Sequence, residues 1–359
     1  MRVIIAGGGT GGHLFPGIAV AEELMERDRN NRVLFVGTSA GLEARVLPGR
    51  GIPLRTITVR GIKGKSISRK AGAVLGIPRA VVEAFGIIRE FHPDLVLGLG
   101  AYVAGPMLVA AFLAGTRRAV QEQNVIPGTT NRISAPLAHR VFVSFEETLG
   151  YFSPEKAVLA GNPIRREFAL CRGQNEREGF GLLVFGGSRG AHRINQAMVE
   201  SLGSLEDLRP NLRVVHQTGA EDARAVAEAY RRRGFTARVE PFIEDMAAAY
   251  RQSRLVVCRA GATTIAELAA CGRASILVPY PFAANNHQEV NARNLVRRGA
   301  AMMILDRDLS GETMAEAIRS LFRAPEQIEA MERASASLGR PDAAKRIVDE
   351  CYRIVEGRS

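Results

Sequence analysis

Cysteine is scarce and scattered: Cys171, Cys258, Cys271 and Cys351 are the only four in 359 residues, and none forms a Cys-x-x-Cys pair. That excludes a disulfide framework and a zinc ribbon, and points to a reducing cytoplasm. A secretory leader is not expected either, because Arg2-Val-Ile-Ile-Ala6 runs straight into glycines without a cleavage pattern. Low-complexity tracts and short-period repeats are missing, which excludes fibrous and solenoid architectures. Charge is absent from residues 95–115, a stretch of 21 that would cross a bilayer as one helix. Gly98, Gly100, Gly105 and Pro106 interrupt it, so a buried strand, a loop and a helix start are expected instead. Acidic residues are absent from 44–82, where Arg45, Arg50, Arg55, Arg60, Lys63, Lys65, Arg69, Lys70 and Arg79 accumulate. Such a run suits anionic lipid, nucleic acid or polyphosphate, or is simply a solvated face.

What is present is a repeating unit of apolar β-branched run, glycine turn and amphipathic stretch. Runs at 3–6, 33–36, 95–97, 119–121 and 141–143 are continuous rather than alternating, as parallel strands buried on both faces are. Helical patterns lie between them at about 16–27, 75–91 and 106–114. The series restarts at 181–185 and continues at 214–216, 237–239, 255–257 and 275–278. The expected class is α/β, with two doubly wound, Rossmann-like parallel-sheet domains facing a cleft. The boundaries are placed at 1–162 and 163–341, with a last helix (342–357) packing back on the first domain.

Four glycine-rich loops follow these strands: Gly7-Gly-Gly-Thr-Gly-Gly-His13, Gly98-Leu-Gly-Ala-Tyr-Val-Ala-Gly105, Gly186-Gly-Ser-Arg-Gly190 and Arg259-Ala-Gly-Ala-Thr-Thr264. Each would bring backbone N–H groups and a helix dipole to a phosphate. One such loop also fits a dinucleotide dehydrogenase, but that reading expects an acid closing strand two, and this strand ends Phe35-Val-Gly-Thr-Ser39. Four loops, two per domain, point to a nucleotide-sugar transferase. Glu267, one to two turns into its helix, would hold both ribose hydroxyls or be an exposed helix carboxylate. His13 would be a base toward an acceptor hydroxyl, or a capping or packing residue. Asp306-Arg-Asp308 has the DxD spacing of metal-binding sugar transferases, yet it precedes a helix start at Ser310, so a loop-and-cap role is expected, with no metal and no cofactor.

The motifs GGTGGHLFPG (8–17), GAYVAGP (100–106), QEQNVIPG (121–128), GNPIR (161–165), GGSRGA (186–191), FIEDMAAAY (242–250), CRAGATTIAEL (258–268) and HQEVNA (287–292) occur in order along the chain. In them the chain resembles the MurG family of bacterial peptidoglycan N-acetylglucosaminyltransferases, which convert lipid I to lipid II on a GT-B fold. The resemblance implies inverting transfer of GlcNAc from UDP-GlcNAc to the C4 hydroxyl of the acceptor's MurNAc. It implies donor contacts from Thr10, Gly11, Gly12, Asn124, Arg165, Ser188 (diphosphate), Ile243 (uracil), Ala262, Thr263, Thr264, Ile265, Ala266, Glu267 (ribose) and Gln288 (GlcNAc hydroxyls). Gly8, Gly9, Gly100, Tyr102 and Gly105 would meet the acceptor, with His13 as base. Three positions depart from the family pattern: Gln121 for His, Arg189 for Gln and Ala101 for Gly.

The resemblance also gives the basic run a use. It flows into Leu75, Ile77, Val81, Val82 and Phe85, an apolar set ringed by cations that would meet the anionic cytoplasmic face of the membrane peripherally. Other cell-wall synthesis and division proteins are implied partners. Rival readings are another GT-B enzyme, such as a diacylglycerol glycosyltransferase or a UDP-GlcNAc 2-epimerase, and a nucleic-acid-binding protein. The last lacks interleaved aromatics and leaves the glycine loops unexplained, so nucleic acid is not an expected partner.

Overall fold

The computed structural model describes residues 1–59, 76–171, 179–187 and 190–357. Two compact units form, Met1–Arg165 with Asp342–Ser359, and Arg166–Pro341. They divide at 165/166, against the 162/163 read from the sequence.

In the first unit, the strands among the described residues are β1 (Arg2–Ala6), β2 (Arg32–Gly37), β3 (Leu54–Thr56), β4 (Leu95–Gly98), β5 (Arg117–Glu122), β6 (Arg140–Val143) and β7 (Ala157–Leu159). They make one parallel sheet in the order β3-β2-β1-β4-β5-β6-β7. Successive side chains of a strand point to opposite faces. On one face Val3, Ile5, Phe35 and Leu97 pack with Leu14, Ile18 and Leu24 of helix Gly11–Arg27 and with Ile347, Val348, Cys351 and Ile354 of helix Ala343–Val355. On the other, Ile4, Ala6, Val36 and Val96 pack with Ala80, Ala84 and Ile88 of helix Ile77–Phe91 and with Val103 and Met107 of helix Ala101–Leu113. Both faces are covered, so the strands read as unbroken apolar runs. The last helix is further tied in by Asn31 Nδ2 donating to Tyr352 Oη at 2.8 Å and by the Arg27–Asp349 ion pair.

The second unit repeats the plan with β8 (Phe180–Phe185), β9 (Leu212–Gln217), β10 (Thr236–Glu240), β11 (Leu255–Cys258), β12 (Ala274–Leu277) and β13 (Ala301–Met303). These are parallel in the order β10-β9-β8-β11-β12-β13. Leu182, Val184, Val257 and Ile276 pack under Ile194 and Met198 of helix His192–Ser201 and under Met314 and Ile318 of helix Gly311–Phe322.

Two helices start earlier than the sequence suggests. The expected starts at 16 and 106 are prolines, but the helices begin at Gly11 and Ala101, five residues before them. A proline near a helix start gives up one i→i−4 bond while keeping helical φ, so the pattern marked a tolerated residue rather than a boundary. The uncharged stretch at 95–115 is β4, a glycine turn and helix Ala101–Leu113. No helix among the described residues is long and apolar enough to cross a membrane.

Candidate functional site

Ligands of doubly wound sheets collect at the carboxyl ends of the strands where the strand order reverses. In the first sheet that point lies between β1 and β4, and in the second between β8 and β11. The four glycine loops are the segments that leave these four strands.

Each loop opens a helix: Gly11–Arg27, Ala101–Leu113, His192–Ser201 and Ala262–Cys271. Their N-cap residues are Thr10, Gly100, Ala191 and Gly261; none of them makes a side-chain cap, and none of the four first turns holds an acid. Side-chain caps are rare among the described helices, Asp245 and Ser310 supplying them for Met246–Gln252 and Gly311–Phe322. At a start without such a cap the positive dipole end can meet an anion, although in the first loop the Glu43 carboxylate already takes the Gly9 N–H. At the β8 loop the backbone is so close that a Cβ on Gly190 (φ +76°) would sit 1.9 Å from the Thr218 carbonyl oxygen. Only glycine fits there.

Two buried carboxylates shape the loops of the first unit. Glu43 is fully buried and accepts from Gly9 N at 2.7 Å, Thr38 N at 2.8 Å and Thr38 Oγ1 at 3.0 Å. A Cβ on Gly8 (φ +146°) would meet its carboxyl carbon at 2.4 Å. Glu122 is likewise buried and accepts from Asn124 N at 2.9 Å, Gly128 N at 3.0 Å and Asn131 Nδ2 at 2.8 Å, which folds 124–128 back on the end of β5. Glu43 and Gly9 stand 34 residues apart, which no spacing rule spans, whereas the partners of Glu122 lie within 9 residues of it.

His13 is the third residue of its helix and half-buried, with Nδ1 2.8 Å from Gln123 Oε1. A Cβ on Gly100 would lie 3.3 Å from His13 Cε1, so the imidazole of the first loop rests against the second. Ala101, the departure from glycine, takes φ +58°, a left-handed conformation that strains an L side chain. Tyr102 beside it is exposed, whereas Gly105 is a helical residue facing the Thr130 methyl. Thr10 and Gly12 are exposed, and the Arg165 guanidinium lies over the Phe15 ring at 5.5 Å.

In the second unit, Glu267 is 9% exposed and its Oε2 lies 3.5 Å from Tyr250 Oη, which corrects the alternative of an exposed helix carboxylate. On the same helix Ala262 and Ile265 are buried, and Thr263, Thr264 and Ala266 are half-buried. Gln288 Oε1 accepts from Tyr280 N at 2.9 Å, which turns its amide nitrogen, a donor, away from the backbone. Ile243 is buried, next to an exposed Phe242. Asp306 pairs with Arg259 at 2.6 Å, so the first acid of the DxD spacing anchors the β11 loop. Deep beneath the β8 loop, His216 bridges Tyr230 Oη (3.1 Å) and Asn195 Oδ1 (3.0 Å), and burial pushes its imidazole down to about 3. Ser188 and Arg189 lie outside the described residues.

The basic run changes character in space. Arg60, Lys63, Lys65, Arg69, Lys70 and Leu75 lie outside the described residues, but Arg50 pairs with Glu22, Arg55 with Glu90 and Arg79 with Glu83. The acids that pair with Arg50 and Arg55 come from other elements, while Glu83 lies one turn on from Arg79 in the same helix, just past the acid-free run. Of the apolar set, Ile77 and Val82 are exposed, while Val81 and Phe85 pack against the core.

Models of the glycosyltransferase family 28 N-terminal and C-terminal domains match residues 3–143 and 181–347. The UDP-N-acetylglucosamine--N-acetylmuramyl-(pentapeptide) pyrophosphoryl-undecaprenol N-acetylglucosamine transferase of Syntrophus aciditrophicus is 50% identical over 357 residues, 99% of each chain. The enzyme of the same name from Geobacter sulfurreducens is 50% identical over 355 residues, 98% of each chain. The crystal structure of Acinetobacter baumannii MurG matches with a TM-score of 0.81 at 31% identity, over 98% of this chain and 99% of that one. A UDP-GlcNAc 2-epimerase from Neisseria meningitidis, at 14% identity and a TM-score of 0.68 over 98% of this chain and 100% of that one, shares the fold alone. With two parallel-sheet α/β units of the GT-B type and relatives at half identity along its full length, the chain belongs to the MurG family of N-acetylglucosamine transferases within glycosyltransferase family 28.

Proposed function

We propose that this enzyme transfers GlcNAc from UDP-GlcNAc to the C4 hydroxyl of MurNAc in undecaprenyl-pyrophosphoryl-MurNAc-pentapeptide (lipid I), with inversion, giving lipid II. The observation that carries the reading is the 50% identity over 99% of both chains to transferases named for this reaction. Four helix N-termini without side-chain caps, at the strand-order reversals of both sheets, support it physically, because both substrates carry a diphosphate. The loops of the second unit, with Glu267 and Gln288, take the donor; those of the first, with His13, take the acceptor. His13 Nε2 accepts the C4 hydroxyl proton while that oxygen bonds to the anomeric carbon and the bond to UDP breaks. Helix N-termini then stabilise the departing diphosphate.

The acceptor's lipid tail places this chemistry at the cytoplasmic face of the membrane. Exposed Ile77 and Val82, and Phe112 and Leu113 closing the neighbouring helix, form the apolar part of the contact. Incubation with labelled UDP-GlcNAc and either a lipid I analogue or diacylglycerol tests the reading. Label is expected only in the disaccharide lipid; transfer to diacylglycerol instead would replace it with the rival glycolipid reading. Co-sedimentation with anionic vesicles tests the surface, and binding indifferent to Val82→Ser, Phe112→Ser and the loss of Lys63, Lys65, Arg69 and Lys70 would remove it.

A further inference from the structure

We infer that Gln123 is a positioning residue that sets the tautomer of His13, so that the base works through Nε2. This rests on the reading of His13 as the base. Gln123 is 1% exposed at the end of β5, and its Nε2 faces acceptors only: the Leu99 carbonyl at 2.9 Å, the Gln121 carbonyl at 3.2 Å and Gln121 Oε1. Two of these are backbone oxygens, which donate nothing. The amide therefore has one orientation, and its Oε1 faces His13 Nδ1 at 2.8 Å. An amide oxygen only accepts, so Nδ1 carries the hydrogen and the ring's lone pair is at Nε2.

The arrangement extends one residue deeper. Gln121, the departure from the family's histidine, is fully buried and donates to Asn162 Oδ1 at 3.3 Å and Ser144 Oγ at 3.4 Å. Its own oxygen is thereby turned to the Gln123 nitrogen. A chain of neutral amides thus runs from Asn162 through Gln121 and Gln123 to the imidazole. A carboxyl group in the same place would set an oxygen against the same three acceptors and so keep its proton; the amide donates to them and fixes the tautomer without adding charge beside a diphosphate substrate.

Charged groups near the pair, among the described residues, include Glu43 under the first loop, Glu122 at the end of β5 and Arg165 over Phe15. All three remain in every variant below, so a difference between variants reports residue 123. The experiment measures kcat, its pH profile and the KM for UDP-GlcNAc with the full chain and a lipid I analogue. Gln123→Met is expected to lower kcat about tenfold with donor KM within about twofold, since the acceptor that selects the tautomer is lost while the base remains. Gln123→Glu, kept protonated by the Leu99 and Gln121 oxygens it would face, still offers Nδ1 an acceptor oxygen and is expected to keep kcat within about threefold of native with the acidic limb in place. Nitrogen-15 spectra of histidine-labelled protein, assigned with His13→Ala, should show His13 as the Nδ1–H tautomer in the native chain and a mixture in Gln123→Met.

A kcat in Gln123→Glu as low as in Gln123→Met, or an Nε2–H tautomer in the native chain, overturns the inference even if Gln123→Met is slow, because a merely structural amide would give that pattern. Near-normal kcat in His13→Ala overturns the base reading itself and the inference with it; that outcome is distinguishable because it needs no change at residue 123.

Discussion

Replacing Glu43 by glutamine removes one oxygen from a side chain that touches no substrate, and it should nevertheless impair the acceptor. The carboxylate accepts from Gly9 N on one oxygen and from Thr38 N and Oγ1 on the other. An amide has one acceptor oxygen, so in either orientation its NH2 group confronts a backbone N–H. At least one part-buried donor is then unmatched, which costs about 1 kcal/mol, or a factor of about 5 in local opening. The close fit of Gly8, Gly37 and Gly41 around this side chain, where an added Cβ would fall within 2.5 Å of it, leaves little room to rearrange. Amide hydrogen exchange followed by mass spectrometry reads the effect in peptides covering residues 7–14 and 36–43. Exchange there should accelerate about fivefold, and kcat/KM for the acceptor should fall while the UDP-GlcNAc dissociation constant holds. Unchanged protection of Gly9 and Thr38, with unchanged acceptor kinetics, would refute the claim that Glu43 holds the loop.

Further expectations follow from single residues. Ala101→Gly should stabilise the chain by about 0.5–1 kcal/mol by relieving the left-handed φ of +58°; an ordinary helical Ala→Gly loses about as much, so the sign of the change in thermal midpoint decides. Glu267→Ala should weaken UDP-GlcNAc binding in calorimetry by about 10- to 100-fold, as expected for one or two charge-assisted hydrogen bonds, with acceptor KM little changed. Burial holds His216 neutral down to about pH 3, whereas the unfolded imidazole titrates at 6.5. Its folded pKa is the lower one, so unfolding takes up a proton between these values and stability falls as pH drops through that window, by about 1.4 kcal/mol per unit. His216→Asn should flatten that slope in melts from pH 4 to 7, even if it is less stable at pH 7.

The strand series and the glycine loops were legible because buried parallel strands and tight backbone approaches each leave a local mark, in β1 and Gly7–Gly12 for instance. β3, β7 and β13 were not. Each is three residues long, and β3 and β7, at the ends of their sheet, are only part-covered, so no apolar run accumulates. The supporting groups were invisible for a different reason. Gln123 meets His13 across 110 residues and Glu43 meets Gly9 across 34, and no spacing rule reaches that far. The same holds for charge: Arg50 and Arg55 belong to an acid-free run, yet each has a carboxylate partner on a distant element. Glu267 showed its place on the helix in the sequence, but not its burial.

The first-unit loops, which open helices at Gly11 and Ala101 with Glu43 holding Gly9 N behind the first, are proposed to read the acceptor's diphosphate. Initial rates with a lipid I analogue should therefore be compared with those for the same disaccharide precursor and lipid joined by a neutral linker. A drop in kcat/KM of at least about a hundredfold is predicted, as expected for two or more lost charge-assisted contacts, with UDP-GlcNAc affinity unaltered. Equal efficiency with the neutral acceptor would contradict the account.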